Sequence, residues 1–163
     1  MADPLEKQID SMLQNGESKK SIFTKFDNPD VRARLIFFLN NKSILARRHK
    51  YMWVNLLLGL VLLGMNIKLL LAVADVISAK GPGLYLLADF IVPTVNFYIL
   101  REIFLFHRTG YQFLVILTTI SLIIYPDNRV FPDILINLAM IGLGSFLYLK
   151  IFPRNEILKV VEE

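Results

Sequence analysis

The sequence predicts an all-α fold: a polytopic membrane protein built as a four-transmembrane-helix bundle, with a small cytoplasmic helical region at its N-terminus. Three observations predict it. First, 55% of the 163 residues are hydrophobic and the mean hydropathy is +0.51, against about 45–50% apolar in soluble domains. The excess lies after residue 50. Second, the apolar residues gather into four runs near the roughly 20 residues a helix needs to span a bilayer. Third, the positive charges between the runs alternate strong, weak, strong, weak, strong, which matches four spans with both termini in the cytoplasm.

The elements follow in order. Asp3-Pro4 reads as N-cap and first helical residue, with Leu5, Ile9, Met12 and Leu13 recurring at helical spacing until Gly16. Ser18 opens a second short helix with Ile22 and Phe26 on one side. Asn28-Pro29-Asp30 repeats the cap-plus-proline pattern and opens a third, with Val31, Leu35 and Leu39 on one face. Residues 1–42 thus form three amphipathic helices, too few to bury much core alone, which fold on one another, on the membrane surface or on a partner. Ser43 caps the next helix, which enters the membrane region, 43–152. Its spans are about 51–74, 84–106, 109–125 and 131–152. The third run, Tyr111 to Tyr125, is only fifteen residues long, between Gly110 and Pro126, but a three-span chain would break the charge alternation. Residues 153–163 form a cytoplasmic tail.

The net charge is +4. The first 50 residues hold ten Lys/Arg and six Asp/Glu, so they account for all of it. Basic charge beside a span reports orientation and anionic lipid rather than nucleic acid. Arg47, Arg48 and Lys50 are therefore assigned to anionic lipid headgroups, and Tyr51, Trp53 and Tyr111 to the aromatic belt. The polar, acidic start carries no cleavable signal peptide. With no cysteine, disulfides and thiolate chemistry are excluded. No cofactor or metal site is expected. The expected location is a bacterial inner (plasma) membrane, since the outer loops and tail lack glycosylation and retention signals.

At 100° per residue, each span gathers its polar and small residues on one face. These are Asn55, Gly59, Leu62 and Asn66 in the first span and Asp89, Pro93, Asn96, Leu100 and Ile103 in the second. In the third they are Gln112, Ile116, Thr119 and Ile123, and in the fourth Asp133, Asn137, Met140 and Gly144. Lipid-facing amides and carboxylates are expensive, so this polar seam should face inward. It reads either as packing glue, with interhelical amide hydrogen bonds contributing about 0.6 kcal/mol each, or as a path for protons, ions or a small solute. Lys68 and Asp89 fall at similar depth in adjacent antiparallel spans, roughly 9 and 7.5 Å below their outer ends, and are expected to form an intramembrane ion pair. Asp133 starts a helix, where a carboxylate suits the dipole. Arg101 and Glu102 are expected to reach headgroup water.

His49 and His107 are the two histidines, and neither sits in a recognisable catalytic pattern. The sequence therefore points to a non-enzymatic integral membrane subunit or scaffold that oligomerises and engages a cytoplasmic partner through its N-terminal helices. Two alternatives stay open: a channel or transporter subunit using the seam around Asp89, and a membrane enzyme of unrecognised type.

Overall fold

The computed structural model describes residues 3–81, 83–125 and 130–158. Among them the regular structure is all helical: α1 (Pro4–Gln14), α2 (Lys19–Phe26), α3 (Arg32–Asn41), α4 (Leu45–Lys80), α5 (Tyr85–Asp89), α6 (Ile91–Phe104), α7 (Arg108–Ile124) and α8 (Asp133–Ile151), then a 3₁₀ turn at Arg154–Glu156. The charges at Asp127, Arg129 and Lys159, and Pro126, the expected end of the third span, lie outside the described residues.

Local chemistry sets the first boundaries. Asp3 accepts a hydrogen bond from the Leu5 N–H (3.0 Å) and Pro4 opens α1. Gly16, at φ +84°, turns the chain where a Cβ would be strained. Ser18 accepts from the Ser21 N–H. Two expected caps act otherwise. Asn28 makes a turn, accepting from the Asp30 and Val31 N–H groups, so α3 starts only at Arg32. Ser43 caps nothing, because its hydroxyl and carbonyl accept from the Arg48 guanidinium instead. The three helices close over Ile9, Leu13, Ile22, Leu35 and Leu39, and Leu158 from the far end of the chain packs against them.

The second core lies among α4, α6, α7 and α8. It is built from Leu58, Leu62, Ile99, Ile103, Tyr111, Leu114, Met140 and Leu147. Glycines permit the close approaches. A Cβ on Gly59 would fall 2.6 Å from the Phe104 ring, and one on Gly144 would fall 3.1 Å from Val115.

Four full spans were expected; among the described residues only α4 and α8 are long and apolar enough to cross a membrane. Helix α4, at 36 residues, is about 54 Å long at 1.5 Å per residue, well beyond the expected 51–74. The second stretch is divided at Phe90. Proline has no N–H and breaks the helical ladder four residues back, so Pro93 leaves the Asp89 carbonyl without its helical donor. The bonds on either side, Phe90 N–H to Leu86 O and Thr94 N–H to Phe90 O, are kept, and Phe90 itself stays near helical geometry (φ −79°, ψ −15°). Helix α7 is 17 residues long.

Candidate functional site

The chain's polar chemistry collects at the end of the bundle where α4 begins, α6 turns into α7 and α8 ends. The turn is built first. The Phe106 N–H donates to Ile103 O (2.9 Å) and the His107 N–H to Glu102 O (2.9 Å). Phe106 sits between them at φ +55°. This pair of bonds is a Schellman closure, with phenylalanine where glycine is usual. A left-handed non-glycine residue costs on the order of 1 kcal/mol and persists because its surroundings hold it.

The turn carries Glu102 and His107 back over one another. Glu102 is 4% and His107 7% exposed. His107 Nδ1 lies 2.7 Å from Glu102 Oε2, where an Nδ1–H donates to the carboxylate. The Thr109 hydroxyl donates to the same oxygen (3.3 Å), and Arg101 donates to Oε1 (2.6 Å). The N-terminal helices are fastened to this point. Lys42 forms an antiparallel bridge with His107. Asn41, the last residue of α3, accepts from the Thr109 N–H at 3.0 Å, one of the first-turn donors of α7 that lack a helical partner. Lys42, 3% exposed, places its ammonium 3.3 Å from Glu6 and 3.4 Å from Asp10 of α1. Beneath the turn, Asn55 donates to Ile103 O (2.9 Å) and accepts from the Tyr111 hydroxyl (2.6 Å).

The tail is docked as well. Asn40 exchanges two hydrogen bonds with the Leu158 peptide, at 2.8 and 2.9 Å. Arg47 donates to Ile151 O (3.0 Å) at the end of α8 and pairs with Glu156. Between the tail, the α1–α2 turn and the start of α4 is a cavity of about 340 Å³. Lys19 faces it, 8% exposed, and burial lowers its pKa to about 8. The nearby Glu156 opposes that shift, while Arg47, Arg108 and Arg48 add to it. Between about pH 8 and the ordinary lysine value of 10.5, the unfolded chain binds a proton that the native state does not. Stability is therefore expected to rise with pH across that window. Denaturant midpoints from pH 7.5 to 10 check this, and Lys19→Met should flatten the rise.

The residues singled out from the sequence divide. Asn55, Asn66 and Asn137 lie inside the bundle, 2%, 1% and 3% exposed. Neither side-chain atom of Asn66 has a hydrogen-bond partner among the described residues. Asn96 is half-buried. The remaining assignments need correction. Asp89 is exposed and lies on α5, before the buried face that α6 carries at Pro93, Ile99, Leu100 and Ile103. Lys68 pairs with Asp133, Nζ lying 2.7 and 2.5 Å from the two carboxylate oxygens, and not with Asp89. The register that brings α8 beside α4 decided this. A double-mutant cycle on Lys68 and Asp133 should give a coupling of about 1 kcal/mol, whereas Lys68 and Asp89 should give none.

Gln112 and Thr119 face outward with Ile116 and Ile123, and the buried face of α7 is Gly110, Tyr111, Leu114 and Thr118. Thr119 returns its hydroxyl to Val115 O at 2.7 Å, a local bond that needs no neighbouring helix. Tyr111 is fully buried rather than interfacial, while Trp53 is 74% exposed. Arg47 and Arg48 are occupied within the chain, Arg48 by Ser43 and Asp10, so Lys50 is the exposed cation of that cluster. Glu102 is buried and not at headgroup water. Its link to His107 was hidden in the sequence, because residues five apart do not share a helix face and only the turn brings them together.

Among the described residues no group of three or more His, Asp or Glu comes together to hold a metal ion. No protein-family model, curated protein or solved structure matches this chain.

Proposed function

We propose that the chain is an integral membrane scaffold or subunit whose N-terminal three-helix module is carried rigidly on the cytoplasmic end of a four-span bundle. The observation that supports this most is the outer surface of the bundle. Leu57, Leu60 and Leu71 of α4, Ile91 of α6, Ile116 and Ile123 of α7, and Leu135 and Leu149 of α8 are each more than half exposed. A water-soluble monomer rarely exposes apolar patches beyond a few hundred Å², whereas lipid accepts such a surface on every side. On this reading α5 and α6 together serve as the second span, and α7 is a short span met by local bilayer thinning. The module then presents α1–α3 to a cytoplasmic partner or a second protomer. Three observations favour a structural role: the Lys42–His107 bridge, the Asn41–Thr109 bond and the Asn40–Leu158 pairing join module, bundle and tail.

The chain's lack of cysteine makes topology directly measurable. Single cysteines at Glu17 and Arg154 should react with a membrane-impermeant maleimide from one side of sealed vesicles, and those at Ser78 and Val130 from the other. Labelling of all four from the same side would sink the four-span arrangement. A bacterial inner membrane remains the proposed location.

Transport is the second reading, and Asn66 favours it, as a buried amide inside the bundle without a partner among the described residues. It moves the test residue from Asp89 to Asn66. Asn66→Leu should abolish flux in liposomes if the seam is a path, and should be neutral or stabilising if the seam is packing.

A further inference from the structure

We infer that the cavity between the α1–α2 turn, the start of α4 and the C-terminal tail binds a phosphate-bearing anion, held by the Lys19 ammonium at the N-terminus of α2. The space, about 340 Å³, far exceeds the roughly 30 Å³ share of one water. Lys19 is buried there without a hydrogen bond or ion pair to any described residue; its Nζ has only the Phe152 ring, 5.7 Å away. A buried charge is normally paired, and among the described residues the ammonium lacks the counterion its position calls for.

The acids at the rim do not supply it. Glu17 is taken by Lys25 at 2.7 Å and Glu156 by Arg47. Arg47, Arg48 and Arg108 also lie close enough to press on Lys19, so the charge around its ammonium is mostly positive. Helix α2 opens into the same space, with Ser18, Lys19 and Lys20 all lining it. First-turn N–H groups without helical partners, together with the positive end of the helix dipole, favour an anion. Lysine serves phosphate as a compact point charge.

Ile44, Leu45 and Ile157 also line the cavity; these apolar side chains suit the glycerol or acyl portion of an anionic phospholipid. That lipid source rests on the membrane reading, since α4 begins at this cavity. A soluble phosphate does not depend on it.

The test uses the full chain, in nonionic detergent for inorganic phosphate and in phosphatidylcholine nanodiscs doped with phosphatidylglycerol for the lipid. Thermal midpoints are read against chloride at matched ionic strength and against undoped discs. At least one probe should raise the midpoint in a saturable way, and which one responds identifies the source. Lys19→Met should weaken that response at least tenfold, while its ligand-free midpoint stays at or above wild type. Should that variant fail to fold, the wild type gives the second arm. Affinity should fall more than tenfold between pH 7.5 and 9.5, as Lys19 loses its proton while exposed lysines keep theirs. The inference is overturned if neither probe raises the midpoint, if Lys19→Met responds like the wild type, or if affinity does not change with pH. The detergent arm contains no bilayer and the topology labelling contains no phosphate, so the two proposals fail separately.

Discussion

Replacing Glu102 with alanine is expected to destabilise the protein by about 3–5 kcal/mol, the usual cost of removing one member of a buried charged or hydrogen-bonded pair. One carboxylate serves three donors, from Arg101, His107 and Thr109. Arg101 is largely exposed and can return to solvent. His107, which is buried, cannot do so without opening the turn, and a buried donor left unmade costs about 1–3 kcal/mol. The damage should also travel. His107 carries the bridge to Lys42, and Thr109 holds Asn41. Amide exchange should therefore accelerate at Thr109 and through the α3–α4 connection, where the module meets the bundle, before it does so in the middle of α4. Glu102→Gln keeps the shape and one acceptor and should lose about 1–2 kcal/mol. A denaturant midpoint for Glu102→Ala within 0.5 kcal/mol of wild type would show that the cluster holds nothing together.

Gly110→Ala should be nearly as severe, about 3 kcal/mol, at the upper end of overpacking penalties. A Cβ there would lie 2.8 Å from Glu102 Cβ, 2.9 Å from the Ile103 nitrogen and 3.0 Å from the Glu102 carbonyl carbon. Two of those atoms are backbone, held by the closing bonds of the same turn, so no side chain can rotate away to relieve the clash. The control comes from the same chain. Gly64 and Gly142 are also helical, and a Cβ on either meets nothing within 4 Å. Alanine at those positions should stabilise by about 0.5–1 kcal/mol through helix propensity alone. Equal effects at all three glycines, in thermal or denaturant unfolding, would refute the close-packed turn.

Parts of this architecture are legible in the residues because the responsible physics is local. The Asp3-Pro4 cap, the Ser18 cap and the Gly16 stop each involve groups within a few positions of one another, and they fall where the pattern puts them. Helical periodicity also picks out Asn55 and Asn66 on α4 and Asn137 on α8, because a polar side chain in an apolar helix recurs on the face turned from the greasy surroundings. The same logic selects the wrong face of α7. There Gln112 and Thr119 are polar but outward, and the buried face is carried by Gly110 and Tyr111, whose value lies in fit and in one hydroxyl aimed at Asn55.

The sequence by itself determined the helical class, most of the first helix boundaries and the apolar character of α4 and α8. Each follows from bonds or periodicities inside a single segment. The tertiary structure alone decided which charges meet: Lys68 with Asp133 and not Asp89, Arg47 with the end of α8 and Glu156, Glu102 with His107, and Lys19 with no ion-pair partner among the described residues. Pairing depends on the relative rise and rotation of helices far apart in the chain, and a shift of one residue turns a side chain by about 100°. That register is fixed by shape, through Gly59 on Phe104, Gly144 on Val115 and Gly110 on the α6 backbone, and composition carries no record of such fits.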